Sequence, residues 1–203
     1  MRAIALATAA AVIFAATNTA LAWDDPNGRI TFDSPSSWVM EVLVPEPQTI
    51  VLAGNANDEC YFVATPNANT ASATADMARR ATDPLTRDSW IAAANSITPM
   101  FPGGSAQLTT QSVDNSGFWP IQRAQFSGGE RPVAAAITSR PGMDLMGFCW
   151  TYGSADVAIA YDSVFSSMAH PNDAAWQSSA QNAAAERAAA EAAASAAEET
   201  ETD

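Results

Sequence analysis

Residues 132–152 constrain the fold more than any other part of the sequence. They form two apolar segments joined by a turn at 140–144, where Pro141 and Gly142 favour a reversal of the chain. In the second segment, apolar residues occupy both alternating faces of an extended strand, which is typical of a strand covered on both sides. We therefore predict that this hairpin lies at the centre of an antiparallel sheet.

The first 22 residues have the pattern of a secretory signal peptide. Arg2 precedes an uncharged, largely apolar run, and the segment ends in Ala20, Leu21 and Ala22, a small-x-small cleavage pattern. The apolar run is shorter than the roughly 20 residues that span a bilayer, which argues against a membrane anchor. We predict cleavage after Ala22. The mature protein is then periplasmic or secreted, with no membrane span.

The charge of the chain restricts its partners. It carries 22 aspartates and glutamates against nine basic residues, all arginine, for a formal net charge of −13. Such a charge opposes nucleic acid or an anionic membrane as a partner. It suits a basic partner, and it equally suits a protein whose acidity serves only solubility.

Cys60 and Cys149 are the only cysteines in the sequence. In an oxidising compartment an isolated pair is typical of a structural disulfide, so we predict a bond between them. The alternative is two buried free thiols, because both residues lie in apolar, strand-like segments. No C-x-x-C arrangement is present, which argues against a thioredoxin-type redox role.

The remaining strands are predicted from alternation and turn residues. They are expected at residues 29–32, 38–44, 49–53, 59–65, 108–113 and 118–126. The first two are predicted to pair as a hairpin, because Asp33, Ser34 and Pro35 between them are turn residues. The last two lead into the central hairpin as an antiparallel meander.

Helical spacing occurs in two places before the tail. Residues 72–95 predict two short helices, with Met77 and Ala78 directed inward in the first and Trp90 in the second. Residues 160–168 predict a closing helix, since their large apolar residues recur on one stripe.

Beyond residue 172 the composition changes to alanine and acidic residues. Trp176 is the last aromatic residue, and Arg187 is the only basic residue among many acids. Alanine favours a helix, whereas the terminal acids repel one another. We predict an exposed helix whose end is disordered, forming a tail from 172 to 203.

No catalytic motif is found in the sequence. It lacks a G-x-S-x-G nucleophile elbow and a glycine-rich phosphate loop, and His170 is its only histidine. A catalytic pair of Cys149 and His170 would need a free, accessible thiolate, and the predicted disulfide removes it. We predict no catalytic, cofactor-binding or metal-binding residues.

The N-terminal turn and the closing helix resemble a known family. The pattern F-x-x-P-x-x-W at Phe32, Pro35 and Trp38, together with the closing helix at 161–168, resembles the PsbP-like, Mog-type α/β/α sandwich over residues 29–169. The resemblance implies a non-catalytic accessory or binding protein. It transfers no functional residue, because the shared positions are packing positions.

These observations predict one α+β domain at residues 23–171, with a twisted antiparallel sheet and helices packed on it, followed by the acidic tail. The leading hypothesis is a non-enzymatic periplasmic or secreted accessory protein that binds an envelope protein partner. The alternative is a module that binds a small molecule or carbohydrate, or a hydrolase that uses carboxylates. In that alternative Trp119, Trp150 and Tyr152 line a pocket.

Overall fold

The structure is a computed structural model that describes residues 20–44, 46–80, 84–96, 101–153 and 156–201. The strands are β1 Ala20–Asp24, β2 Thr31–Pro35, β3 Val39–Val44, β4 Thr49–Gly54, β5 Asp58–Pro66, β6 Gln107–Asp114, β7 Ile121–Ser127, β8 Val133–Arg140 and β9 Met143–Thr151. The helices are α1 Ala75–Arg80, α2 Arg87–Ser96, α3 Val157–Ala160, α4 Asp162–Ser167 and α5 Asp173–Glu201.

Seven of these strands form one antiparallel sheet in the order β3-β4-β5-β9-β8-β7-β6. The hairpin of β8 and β9 lies in its middle, and β9 has three strands on either side. The turn between them contains Gly142, whose φ of 76° lies in the left-handed region that favours glycine. The predicted central hairpin is therefore present, and the predicted α+β class with helices packed on an antiparallel sheet is confirmed.

One face of the sheet is covered by the hairpin of β1 and β2 together with α3 and α4. The rings of Phe32 and Phe62 stack there with centroids 3.9 Å apart, and Phe165 of α4 packs into the same cluster. Gly147 of β9 lies under that ring, and a Cβ atom there would come within 2.8 Å of it. The glycine therefore lets α4 approach the centre of the sheet closely.

The opposite face of the sheet is covered by α2 and by the chain around Phe101. Trp90 of α2 and Phe101 both meet the ring of Phe126 edge-on, at 6.1 and 5.9 Å. Phe148 and Trp150 of β9 belong to the same cluster. Both faces of β9 are thus buried, as the apolar residues on both of its faces predict.

The prediction that the first two strands pair with each other as an N-terminal hairpin is wrong. The first of its two strands, β2, pairs with β1 in a separate two-stranded sheet, whereas β3 pairs with β4. Ser34, predicted as a turn residue, is buried and donates a hydrogen bond to the Leu21 carbonyl at 3.2 Å. Pairing with β1, together with the hydrogen bond from the Asp33 N–H to Ser167 Oγ at 2.9 Å, keeps the chain extended to Pro35, and the reversal follows between Pro35 and Trp38.

The first predicted helix is present as α1, and one of its residues faces outward instead of inward. The Thr74 hydroxyl accepts a hydrogen bond from the Met77 N–H at 3.3 Å, so this threonine caps α1. Ala78 is buried as predicted, but Met77 is 60% exposed, which corrects its predicted inward orientation. In α2, Trp90 is buried as its spacing predicts.

The predicted C-terminal helix is α5, and its first turns pack on the domain. Arg140 is buried and binds Asp173 with Nε and Oδ1 2.7 Å apart, and Arg187 meets Asp76 at 3.1 Å. From residue 181 to 195 every side chain is exposed. None of the helices within the described ranges combines the length and the apolar character needed to cross a membrane.

Candidate functional site

A cleft of about 210 Å³ opens where β5 begins and β9 ends. The chain around Pro102 and the loop between β7 and β8 form its walls. The lining residues are Glu59, Pro102, Glu130, Arg131, Val133, Trp150 and Tyr152.

Strand register explains how the floor of the cleft is built. Glu59 of β5 lies directly opposite Trp150 of β9. Tyr152 follows the end of β9, where its N–H donates to the Asn57 carbonyl at 2.6 Å and extends the pairing of the two strands. These three side chains therefore emerge together from one end of adjacent strands.

The two walls are held together at Gly128. This residue has a φ of 97°, and a Cβ atom there would collide with the Ser105 carbonyl oxygen. The absence of a side chain lets the loop that carries Glu130 and Arg131 lie against the segment that follows Pro102. Close packing at this one glycine thus positions two charged residues at the mouth of the cleft.

Aromatic rings dominate the floor of the cleft. Trp150 stacks on Tyr61 with ring centroids 5.8 Å apart and planes 12° from parallel. The guanidinium carbon of Arg131 lies 4.5 Å from the centroid of the Tyr152 ring, which is a cation–π contact. Trp150 is largely buried, whereas Tyr152 is 46% exposed and its ring is accessible from solvent.

Two carboxylates give the cleft its negative charge. The Tyr152 hydroxyl donates a hydrogen bond to Glu59 Oε2 at 2.8 Å. Burial, followed by the charge of Glu59 and the influence of Tyr152, raises the pKa of the Tyr61 hydroxyl above its usual value of 10.0. In the described part of the chain, neither Glu59 nor Glu130 has an arginine within ion-pair distance.

Two of the three aromatic residues proposed for a pocket lie in this cleft. Trp150 and Tyr152 line it, but Trp119 lies elsewhere, between Arg140 at 4.4 Å and Trp176 at 6.2 Å. Trp119 therefore helps to anchor α5, and the three do not form one site. Glu59, Glu130 and Arg131 could not be recognised as cleft residues from the sequence, because they lie in two distant segments and their spacing carries no signal.

The predicted disulfide residues lie directly opposite each other on β5 and β9. Cys60 and Cys149 are both completely buried, their Cα atoms are 4.1 Å apart, and their sulfur atoms are joined. Burial lowers the pKa of the His170 imidazole below 6.5, and its Nδ1 accepts a hydrogen bond from the Asn172 N–H at 3.0 Å. This arrangement offers no free thiolate for a cysteine–histidine pair.

In the described ranges of the chain, no three histidine, cysteine or acidic side chains come together in a way that would hold a metal ion.

A second surface feature is the edge strand β3. On its outer side it pairs with no strand that the structure describes. Val39 is 75% exposed, Leu43 42% and Val42 36%, so the strand presents apolar side chains to solvent. The sequence contained one signal for an edge position, because prolines at 45 and 47 directly follow the strand.

Comparisons with known proteins give a distant likeness in fold. No family model and no curated protein matches the chain. A solution structure of cyanobacterial PsbP from Synechocystis sp. PCC 6803 is similar with a TM-score of 0.49 and 14% identity, over 79% of this chain and 98% of that one. The resemblance to the PsbP-like fold is confirmed as a weak one.

A second similar structure is a crystal structure of a protein from Bacteroides thetaiotaomicron VPI-5482. Its TM-score is 0.39 at 15% identity, over 75% of this chain and 49% of that one. The present chain thus spans about half of that protein. Neither likeness assigns a role to any residue.

Proposed function

We propose that the chain is a non-enzymatic binding domain of the cell envelope, which holds an extended, basic segment of a partner protein against β3. The observation that carries this proposal is the exposed apolar side chains of Val39, Val42 and Leu43 on an edge strand. An edge strand offers a row of backbone donors and acceptors that a further strand can pair with.

The exposed side chains give such pairing an additional driving force. Burying apolar surface contributes roughly 25 cal/mol per Å², so a partner that covers these three residues gains from both side chains and backbone. Peptides that add a strand to a sheet edge use this combination, in which main-chain hydrogen bonds provide affinity and alternate side chains provide specificity.

Charge indicates the composition of the partner segment. The chain has a formal net charge of −13, and Glu41 is exposed in the middle of β3. A second copy of the chain would bring the same negative charge to this edge, which opposes self-association. A segment with arginine or lysine beside its apolar residues complements both features of the strand.

The proposed location outside the cytoplasm has two supports. Residues 1–22 have the pattern of a signal peptide, and the buried pair Cys60 and Cys149 is joined as in proteins of oxidising compartments. In our proposal the signal peptide is removed after Ala22, which shortens β1 to Trp23 and Asp24, paired with Phe32 and Thr31, and the domain acts in the periplasm or outside the cell.

Site-specific photocrosslinking tests the proposed binding edge. A benzoylphenylalanine replaces Leu43 on β3, and a matched control replaces the exposed Gln111 on β6, in the full chain expressed in its own envelope. We expect an adduct from position 43 and none from position 111, with the crosslinked partner peptide extended and basic. The Glu41→Arg variant should lose the adduct, because it reverses the charge that attracts the segment.

Three results would contradict this proposal. Equal crosslinking at both positions would show that β3 has no special role. An acidic partner peptide would remove the charge argument. An adduct with a second copy of the chain would make the edge a self-association surface.

A further inference from the structure

The cleft at the end of β5 and β9 combines two features that recognise organic cations. Its floor is aromatic, with Trp150 largely buried and Tyr152 open to solvent. Its rim carries the carboxylates of Glu59 and Glu130. Aromatic faces attract cations through the ring quadrupole, and carboxylates add charge and hydrogen-bond acceptors.

A cation of the protein itself already occupies part of this arrangement. The Arg131 guanidinium lies 4.5 Å from the centroid of the Tyr152 ring, and its only hydrogen bond within the described structure is a long one of 3.5 Å to the Thr151 carbonyl. The platform therefore has the dimensions for a guanidinium group. A cation that binds to this ring would take the place of Arg131.

The orientation of the acceptors also suits a cation. The hydroxyl of Tyr152 donates a hydrogen bond to Oε2 of Glu59 at 2.8 Å, which fixes this carboxylate next to the ring. Glu59 and Glu130 together outweigh the single positive charge of Arg131, so the cleft has an excess of negative charge. Burial is the main cause that raises the pKa of the nearby Tyr61 hydroxyl, and the charge of Glu59 raises it further.

The size of the cleft limits the ligand to a head group. At about 210 Å³ it is smaller than the roughly 300–1,000 Å³ of sites for drug-sized molecules. We propose that the cleft binds an alkylammonium or guanidinium group, supplied either by a free amine or by a basic side chain of a peptide. This site is separate from β3, and the proposal does not depend on the partner segment.

Titrations monitored by nuclear magnetic resonance test the site. The indole N–H of Trp150 in the full exported chain reports binding of agmatine, of tetramethylammonium and of a blocked arginine peptide, with urea as the uncharged control. We expect saturable shifts with the three cations and none with urea. A peptide that binds more tightly than agmatine identifies a side chain as the source, whereas equal or weaker binding identifies the free cation.

Two variants separate binding from a structural role. Arg131→Ala frees the Tyr152 ring and should tighten agmatine binding by about twofold to fivefold, the range that a cation–π contact at an exposed ring represents. Arg87→Ala, which removes the same charge from an exposed position on α2, should leave binding nearly unchanged. Glu59→Gln should weaken binding by a similar factor while preserving the shape of the cleft.

The proposal is overturned if Arg131→Ala binds agmatine no more tightly than the unaltered chain, provided that its amide spectrum shows an intact fold. It is equally overturned if urea shifts the Trp150 signal as much as the cations do. Glu41→Arg in β3 serves as a further control, since it should abolish crosslinking to the partner but leave the cation titration in place.

Discussion

The two edges of the seven-stranded sheet are built alike but present different side chains. Both β3 and β6 contain a register irregularity, between Val42 and Val44 in one and between Leu108 and Thr110 in the other. Such irregularities interrupt an edge, so regular pairing of a further strand with β3 is limited to the stretch from Val39 to Val42. The exposed residues of β6 are polar, Gln107, Thr109, Thr110, Gln111 and Ser112, whereas those of β3 include Val39, Val42 and Leu43.

The two edges are therefore alike in having a backbone irregularity and differ in the polarity of their exposed side chains. The polar side chains of β6 are satisfied by water or by the protein, as in the hydrogen bond from Thr109 Oγ1 to the Gln125 carbonyl at 3.0 Å. The apolar side chains of β3 cannot form hydrogen bonds with water. The exposed apolar side chains of β3 are the observation on which the proposed binding edge depends.

The largest loss of stability is expected at the seam, by which we mean the junction of β5 with β9 between the two halves of the sheet. The strands β3-β4-β5 carry one edge, β9-β8-β7-β6 carry the other, and Cys60 and Cys149 join them across 89 residues of sequence. The double variant Cys60→Ala with Cys149→Ala should lower the free energy of unfolding by about 4 to 5 kcal/mol, because the unfolded chain loses a long closed loop.

Urea unfolding without reductant measures this loss. Wild-type protein treated with dithiothreitol is the control and should unfold at the same urea concentration as the double variant. If the oxidised wild type and the variant have the same midpoint, the joined cysteines contribute no stability to the seam.

A smaller loss is expected where α5 meets the β6 half. Asp173→Ala leaves the buried Arg140 without its carboxylate and should cost about 3 kcal/mol, as is common when one member of a buried ion pair is removed. Arg187→Ala removes a more exposed pair with Asp76 and should cost no more than about 1 kcal/mol.

Hydrogen exchange shows where the Asp173→Ala loss occurs. Amides of β8 and of the first turns of α5 should exchange faster, while those of β3 and β4 remain as in the wild type. Faster exchange in both halves to the same extent would mean that the ion pair supports the whole sheet and not one side of it.

The smallest effect on stability is expected from exchanging the character of the edges. The double variant Val39→Thr with Leu43→Thr, and its counterpart Thr109→Val with Gln111→Val, should each change stability by no more than about 0.5 kcal/mol, since these residues are exposed. Retention on a hydrophobic column should nevertheless fall for the β3 variant and rise for the β6 variant. Unchanged retention of the β3 variant would show that its edge is not an accessible apolar surface.

The centre of the fold could be predicted from sequence because its determinants are local. Turn residues and alternating apolar residues define the hairpin of β8 and β9, and the helical spacing of α2 marks Trp90 as an inward-facing residue. The N-terminal hairpin could not be predicted, because Ser34 looks like a turn residue and long-range contacts of its segment, such as that of the Asp33 N–H with Ser167 Oγ, keep it in a strand.

The cleft could not be predicted from the sequence either. Trp150 and Tyr152 were marked by residue type, but their relation to Glu59 depends on the pairing of β5 with β9, and their relation to Arg131 depends on the packing of Gly128 against Ser105. These contacts join segments far apart in the chain, so neither composition nor residue spacing predicts them.

The disulfide between β5 and β9 also affects how the sheet would respond to a pulling force. A partner segment held at β3 would transmit any tension to the sheet one strand at a time, first through the hydrogen bonds of β3 with β4 and then through those of β4 with β5. Peeling would stop at Cys60, because the next junction contains a covalent bond. Strands β9, β8, β7 and β6 would keep their shape under a load that detaches the binding edge.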